Sequence, residues 1–276
     1  MSTPAAGRRR FKLSDDLRPQ EAIPRSHYLT IVSASITLLF GLWGLASYSG
    51  FVQPSYFLPT PTQVVVAGWR MILDGSLADN ASASLIVIIA GWAMATVFAV
   101  PLGILMGSFK FFEALFEPVV DFIRYLPVSA MIPLLILYIG LGIEEKIAVI
   151  FIGTFFQLIL LVADVAAHVP KDLLDSAYTL GASRLRVITR VLVPATLPSV
   201  MDNLRITIGW AWTYLVVAEL VAAEKGLGIM ILESQRGLRT DKIFVGLVTI
   251  GLLGFLSDTI FRVLHRVALP WSPRAR

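Results

Sequence analysis

The residues of this sequence with chemical potential are polar and ionisable side chains set inside apolar stretches: Gln157, Asp164, Asn203, Arg205, Trp210, Thr213, Tyr214 and Glu219. Hydrocarbon solvates such groups poorly, so they face a cavity, a neighbouring helix or one another. Their types suit hydrogen bonding and charge attraction, not bond making. Most fall in one stretch, between 203 and 219. Arg205 either draws an anion, snorkels to the nearby end of its stretch, or pairs with Asp202 three residues earlier. Asp164 and Glu219 also stand near stretch ends. Thr213 and Tyr214 lie deeper and serve interhelix hydrogen bonding as readily as contact with a solute.

Covalent and redox chemistry has little to stand on. The chain has no cysteine, which removes disulfides, thiol nucleophiles and thiolate metal sites. Its three histidines, His27, His168 and His265, are widely separated at the ends of apolar stretches. No Gly-x-x-x-x-Gly-Lys-Ser/Thr loop is present to cradle a triphosphate, and no carboxylate pair or nucleophile elbow stands out. The catalytic, cofactor-binding and metal sets are therefore expected to be empty.

The elements that must carry these polar groups are membrane helices. Hydrophobic residues make up 56% of the chain and charged residues 15%, well below the roughly 25% of a soluble domain. Apolar runs of about 20 residues match the ~30 Å hydrocarbon core at ~1.5 Å per residue. Six such spans are expected, near 28–48, 83–107, 121–141, 146–167, 197–222 and 243–264. Residues 1–27 hold Arg8, Arg9, Arg10, Lys12, Arg18 and Arg25 without a cleavage signal, and read as a tail.

Basic residues decide the orientation, because positive charge is retained in the cytoplasm during insertion. They gather in that tail, at Lys110 and Arg124, at Lys171, Arg184, Arg186 and Arg190, and at Arg262, Arg266, Arg274 and Arg276. Both termini and the loop around Asp175 are thus expected in the cytoplasm. Topology and anionic headgroups account for the net charge of +4, so no nucleic acid is implied.

That loop has a structure of its own. Val169-Pro170 ends the fourth span, and proline at a helix start sacrifices no intrahelical bond, so a short helix is expected from Lys171 to Leu180. Gly181 permits a positive-φ turn. Ser183 then caps a second helix with Leu185, Ile188 and Leu192 on one face, which Pro194 and Pro198 are expected to end. On the opposite side of the membrane, Thr60-Pro61 starts and Asp74-Gly75 stops a short interfacial helix with Val64, Val65, Val66, Trp69, Ile72 and Leu73 on its apolar face. In the third span, Pro127 and Pro133 can kink the helix into a hinge or be tolerated where neighbours satisfy the freed carbonyls.

The run Asp175-Ser176-Ala177, followed after three residues by Gly181 and after nine more by Val191-Leu192-Val193-Pro194, resembles the "EAA" loop of ATP-binding-cassette importer permeases. The spacing of acidic-Ala-Ala, Gly and Ile-x-Leu-Pro is kept; Asp replaces Glu, Ser the first Ala, and Val both Ile and Leu. Leu58-Pro59-Thr60-Pro61-Thr62-Gln63-Val64, Arg124-Tyr125-Leu126-Pro127-Val128-Ser129-Ala130-Met131-Ile132-Pro133-Leu134, Ala218-Glu219-Leu220, Gly226-Leu227-Gly228 and Pro270-Trp271 resemble segments of nitrate, taurine and alkanesulfonate permeases. The run Tyr125–Ser129 departs from the Pro-Leu-Ala-Trp of many members.

The resemblance implies an all-α polytopic protein of six transmembrane helices, similar to type I importer permeases, with a cytoplasmic coupling-helix loop. Its domain would span 28–272, with the loop at 168–196 and a short tail at 273–276. Asp175, Ser176, Ala177, Leu180, Gly181, Ala182, Ser183 and Arg184 would contact a cytoplasmic ATPase dimer, which holds the ATP and Mg that this chain lacks. Gln157, Arg205, Trp210, Thr213, Tyr214 and Glu219 would line the solute path. Further implied partners are a periplasmic or lipid-anchored solute-binding protein and a second permease copy, expected as a homodimer in the bacterial inner membrane. Solute, first a small anion or sulfonate, would move inward by alternating access. The alternatives are an ion-coupled secondary transporter or a membrane scaffold acting without an ATPase.

Overall fold

The computed structural model describes residues 23–50 and 57–271, so the basic residues before 23 and the tail at 273–276 lie outside the described residues. The chain forms two units, residues 1–63 and 64–276. In the first, α1 (Arg25–Tyr48) is long and apolar enough to cross a membrane, and it takes in the last three residues of the expected tail. Trp43 Nε1 donates to Pro59 O at 3.1 Å. Thr60 and Gln63 bond reciprocally, backbone N–H of each to the side-chain oxygen of the other, at 2.8 and 3.3 Å. This capping box satisfies two amides and starts α2 (Pro61–Leu73) at the proline the sequence indicated.

In the second unit α2 buries Val64, Ala67 and Met71, and leaves Val65, Val66, Trp69, Ile72 and Leu73 exposed. It stops at Asp74-Gly75, where Gly75 has φ +78°. There follow α3 (Ser76–Ser108), α4 (Lys110–Arg124), α5 (Val128–Ile139), α6 (Ile143–Ala167) and α7 (Lys171–Thr179). After α7 come α8 (Arg184–Val187), a π turn (Ile188–Leu192), α9 (Val193–Ala222), α10 (Leu227–Arg236) and α11 (Thr240–Ala268).

The centre of the fold is the pair α3 and α6. Gly91, Ala95, Ala99, Gly103 and Gly107 recur every fourth residue on α3, a stripe of small side chains that lets two membrane helices approach closely. A Cβ at Gly91 would lie 2.8 Å from Ile150 Cβ, and one at Gly103 2.7 Å from Ile159 O. The partners advance in step, so the two helices run parallel. Around one end of this pair α4, α6 and α9 join a core of Met106, Val120, Leu158, Ile159, Leu192 and Val200.

Five described helices are long and apolar enough to cross a membrane, and α4 with α5 makes a sixth if the bent pair counts as one. The run expected as the third span, with Pro127 and Pro133 as candidate kinks, is bent by 97° at this break. Pro127 has no N–H to continue the helix and disfavours helical backbone at Leu126, so the chain closes α4 with i to i+3 bonds at Tyr125 and Leu126. Pro133 sits within α5 without interrupting it. Of the two prolines, the one at the bend is Pro127.

A second departure lies at Pro194. The helix expected to end there continues, Arg184 to Val221 forming one long helix apolar enough to cross a membrane. Pro194 cannot donate to Arg190 O and its ring would crowd that carbonyl; the π turn over Ile188–Leu192 widens the helix at this point and relieves both. Pro198 is likewise absorbed inside α9.

Candidate functional site: a membrane cavity and an exposed helical knob

A cavity of about 370 Å³ opens where the α4–α5 bend meets α6 and α9. Its polar lining is Arg124, Tyr125, Ser129, Gln157, Thr213 and Tyr214, against apolar Val149, Ile152, Phe156 and Val217. Arg124 Nε bonds Asp121 at 2.9 Å, its Nη2 donates to Tyr125 OH at 2.9 Å, and the guanidinium lies 4.5 Å from that ring's centre. Among the described residues, the Gln157 amide and the Ser129, Thr213 and Tyr214 hydroxyls make no hydrogen bond. Gln157 stands near the middle of α6. Uncommitted hydrogen-bonding groups at that depth are expensive unless a cavity hydrates them or a ligand uses them.

The other sequence candidates are placed elsewhere. Glu219 is 1% exposed; it accepts from Ser84 Oγ and Gly228 N, both at 2.6 Å. Ser84 Oγ in turn accepts from Leu227 N at 2.9 Å, and Asn80 Oδ1 accepts from Gly226 N at 2.9 Å. The carboxylate thus ties α9 and α3 to the start of α10. Arg205 is paired with Asp258 on α11, not with Asp202, because the fold sets α11 beside α9. Trp210 is 39% exposed on α9 outside the cavity. Asn203 Nδ2 donates to Leu161 O at 3.0 Å, an interhelix bond, and Asp164 faces His168 at 3.3 Å on the surface.

The Asp175 loop forms a compact knob. Helix α7 ends in a Schellman motif: Ala182 N–H reaches Ala177 O at 3.1 Å and Gly181 N–H reaches Tyr178 O at 2.9 Å. Gly181 adopts φ +79°, as its position required. Ser183 occupies the N-cap of α8 but makes no side-chain cap bond, so the backbone turn carries the cap. Asp175, Ser176, Ser183 and Arg184 are exposed and Ala177 and Ala182 half-buried. Leu180 is 88% exposed, with Leu185, Leu173 and Tyr178 also open to solvent.

The family model for binding-protein-dependent transport system inner membrane components matches residues 99–268. The chain belongs to that family. A probable ABC transporter permease protein of Brucella abortus (strain 2308) is 35% identical over 241 residues, covering 87% of this chain and 95% of the relative. The taurine transport system permease protein TauC of Escherichia coli (strain K12) is 31% identical over 253 residues, 90% of this chain and 92% of its own. An inward-facing structure of the MetNI methionine ABC transporter matches with TM-score 0.56 at 19% identity, over 66% of this chain and 93% of that one, which shows a shared fold. The protein is a permease of a binding-protein-dependent importer, all-helical and multi-pass, as the Asp175 loop indicated.

In this permease Arg124, Tyr125 and Ser129 line the cavity although sequence reading did not single them out for it. Arg124 was read there as a loop charge that sets topology. The signal lay in Pro127, whose bend turns the end of α4 toward α6 and α9.

Proposed function

We propose that the permease couples ATP hydrolysis in a cytoplasmic ATPase to passage of a small anion or sulfonate through the cavity at Gln157, Thr213 and Tyr214. One observation carries this reading: the knob and the cavity share one helix. Arg184, at the foot of the knob, and Thr213 and Tyr214, in the cavity wall, belong to the same continuous helix Arg184–Val221, about 44 Å apart at ~1.5 Å per residue. A rigid-body tilt imposed at the knob is delivered to the cavity wall. Leu180, Leu185, Leu173 and Tyr178 offer an apolar surface for the ATPase groove, and Asp175 and Arg184 charges at its rim.

The Arg124 guanidinium reaches the cavity while paired with Asp121, and a taurine permease is among the relatives; that relative supports an anionic or zwitterionic sulfonate as cargo. Basic residues around the knob and near the α11 end support a cytoplasmic side for both, with a solute-binding protein on the far side. A second copy of the permease completes the path, which opens alternately to each side. The membrane is the bacterial inner membrane, and ATP and Mg reside in the partner.

The test is purification from native membranes in mild detergent, identification of co-purifying subunits, and ATP hydrolysis measured with taurine, alkanesulfonates and nitrate. A co-purified cassette ATPase stimulated by one of these solutes and its binding protein supports the reading. Solute transport by the chain alone in liposomes without ATP overturns it.

A further inference from the structure

A second polar pocket, of about 200 Å³, lies between α9 and α11, lined by Asp202, Arg205, Phe261, Arg262, His265 and Arg266 with Met201. It sits at the knob end of both helices, where their apolar runs give way to charge. Among the described residues three arginines face two carboxylates there. Asp258 alone serves both Arg205 and Arg262, while Arg266 is exposed and makes no ion pair. His265 is 9% exposed; its Nδ1 is 3.7 Å from Asp202, too far for a hydrogen bond, and its buried Nε2 has no partner. A buried nitrogen is rarely left unmatched.

We propose that this pocket binds the phosphate of an anionic lipid headgroup. Phosphate oxygens would accept from the unpaired Arg266 guanidinium and the open face of Arg262, and would neutralise the surplus positive charge. Acyl chains have a surface to follow: Leu256, Ile260, Val263 and Val267 form an exposed apolar stripe on α11 next to Arg262 and Arg266. A basic recess between helices at the end of their apolar runs matches the chemistry of a headgroup with its chains in the bilayer, more than that of a free anion. The site is separate from the cavity at Gln157, and its occupancy would brace α11 against α9.

The test uses the full-length permease with its co-purifying subunits, delipidated in detergent and returned to nanodiscs of phosphatidylglycerol or phosphatidylcholine. Native mass spectrometry counts retained lipid. Retention of phosphatidylglycerol over phosphatidylcholine is expected, weakened about fivefold by Arg266→Gln, the factor one basic residue near an anionic headgroup contributes. Arg262→Gln should weaken it as well, and Arg236→Gln, an exposed arginine on α10, should leave it unchanged. Arg266→Gln removes no internal contact, so a folding defect does not obscure the result. Equal retention of both lipids, or phosphatidylglycerol binding indifferent to both pocket variants, overturns the proposal. Millimolar inorganic phosphate that stabilises the delipidated protein as well as phosphatidylglycerol does, with loss in Arg266→Gln, would assign the pocket to a free anion and overturn the lipid source.

Discussion

The ring of Tyr214 lies against Gly153 so closely that a Cβ at Gly153 would stand 2.6 Å from Tyr214 Cδ2. Both residues line the cavity, so Gly153 sets how far the Tyr214 ring withdraws from it. Gly153→Ala is expected to push the ring into the cavity and lower solute uptake, while assembly and thermal stability change by less than the ~1–3 kcal/mol of a confined overpacking. Uptake in proteoliposomes checks this. Gly153→Ala combined with Tyr214→Leu should transport no worse than Tyr214→Leu alone, because the two changes act through one contact.

Glu219 is a clamp that holds α9, α3 and the start of α10. Glu219→Ala would leave the buried Ser84 hydroxyl and Gly228 N–H without their acceptor, at about 1–3 kcal/mol for each. The expected outcome is a clear drop in melting temperature and in membrane accumulation, read by size-exclusion chromatography after heating. An unchanged melting profile would reject the clamp.

The π turn before α9 exists because of Pro194. With Pro194→Ala an N–H becomes available to Arg190 O, and the segment can relax to regular α-helix. That would turn the knob relative to the cavity wall by about one residue's rotation, roughly 100°. We expect expression and stability to be kept or slightly raised, and solute-stimulated ATP hydrolysis to fall. The ratio of solute transported to ATP hydrolysed measures it, and normal coupling in Pro194→Ala would count against transmission along α9.

Asp74, between α2 and α3, is held below the usual carboxylate range by the nearby Ser76 side chain and then by the Ser76 backbone N–H, which donates to Oδ1 at 2.9 Å. A depressed folded value means that the turn is stabilised above the unfolded carboxylate's range and loses that contribution as pH falls through the folded value. Proteolysis at 73–76 should therefore rise in acid for the native protein and be high and insensitive to pH in Asp74→Asn. The effect is small, since the carboxylate is exposed.

The apolar runs, the Thr60-Pro61 and Gly181 boundaries and the matched spacing after Asp175 were legible because each depends on neighbours within a turn or two: helix starts, positive-φ glycines and hydrophobic length are local properties. The site was only partly so. Gln157, Thr213 and Tyr214 were readable as polar residues within spans, but the same reasoning attached Glu219 and Arg205 to them. Both are satisfied by distant chain, Glu219 by Ser84 135 residues away and Arg205 by Asp258 53 residues away. Arg124 was hidden because a bend at Pro127, not its own neighbourhood, brings it to the cavity.

The sequence by itself determined that this is a helical membrane permease, where its Thr60-Pro61 helix begins, and that a helical knob follows the fourth apolar run. These are set by short-range hydrogen bonding and by the length of apolar chain that hydrocarbon demands. Only the tertiary structure decided the 97° turn at Pro127, the continuation of the knob through the π turn into α9, and which polar side chains stay unpaired at the cavity. The reason is that a buried polar group takes whichever partner packing brings within reach, and packing is decided where the small stripe of α3 meets α6.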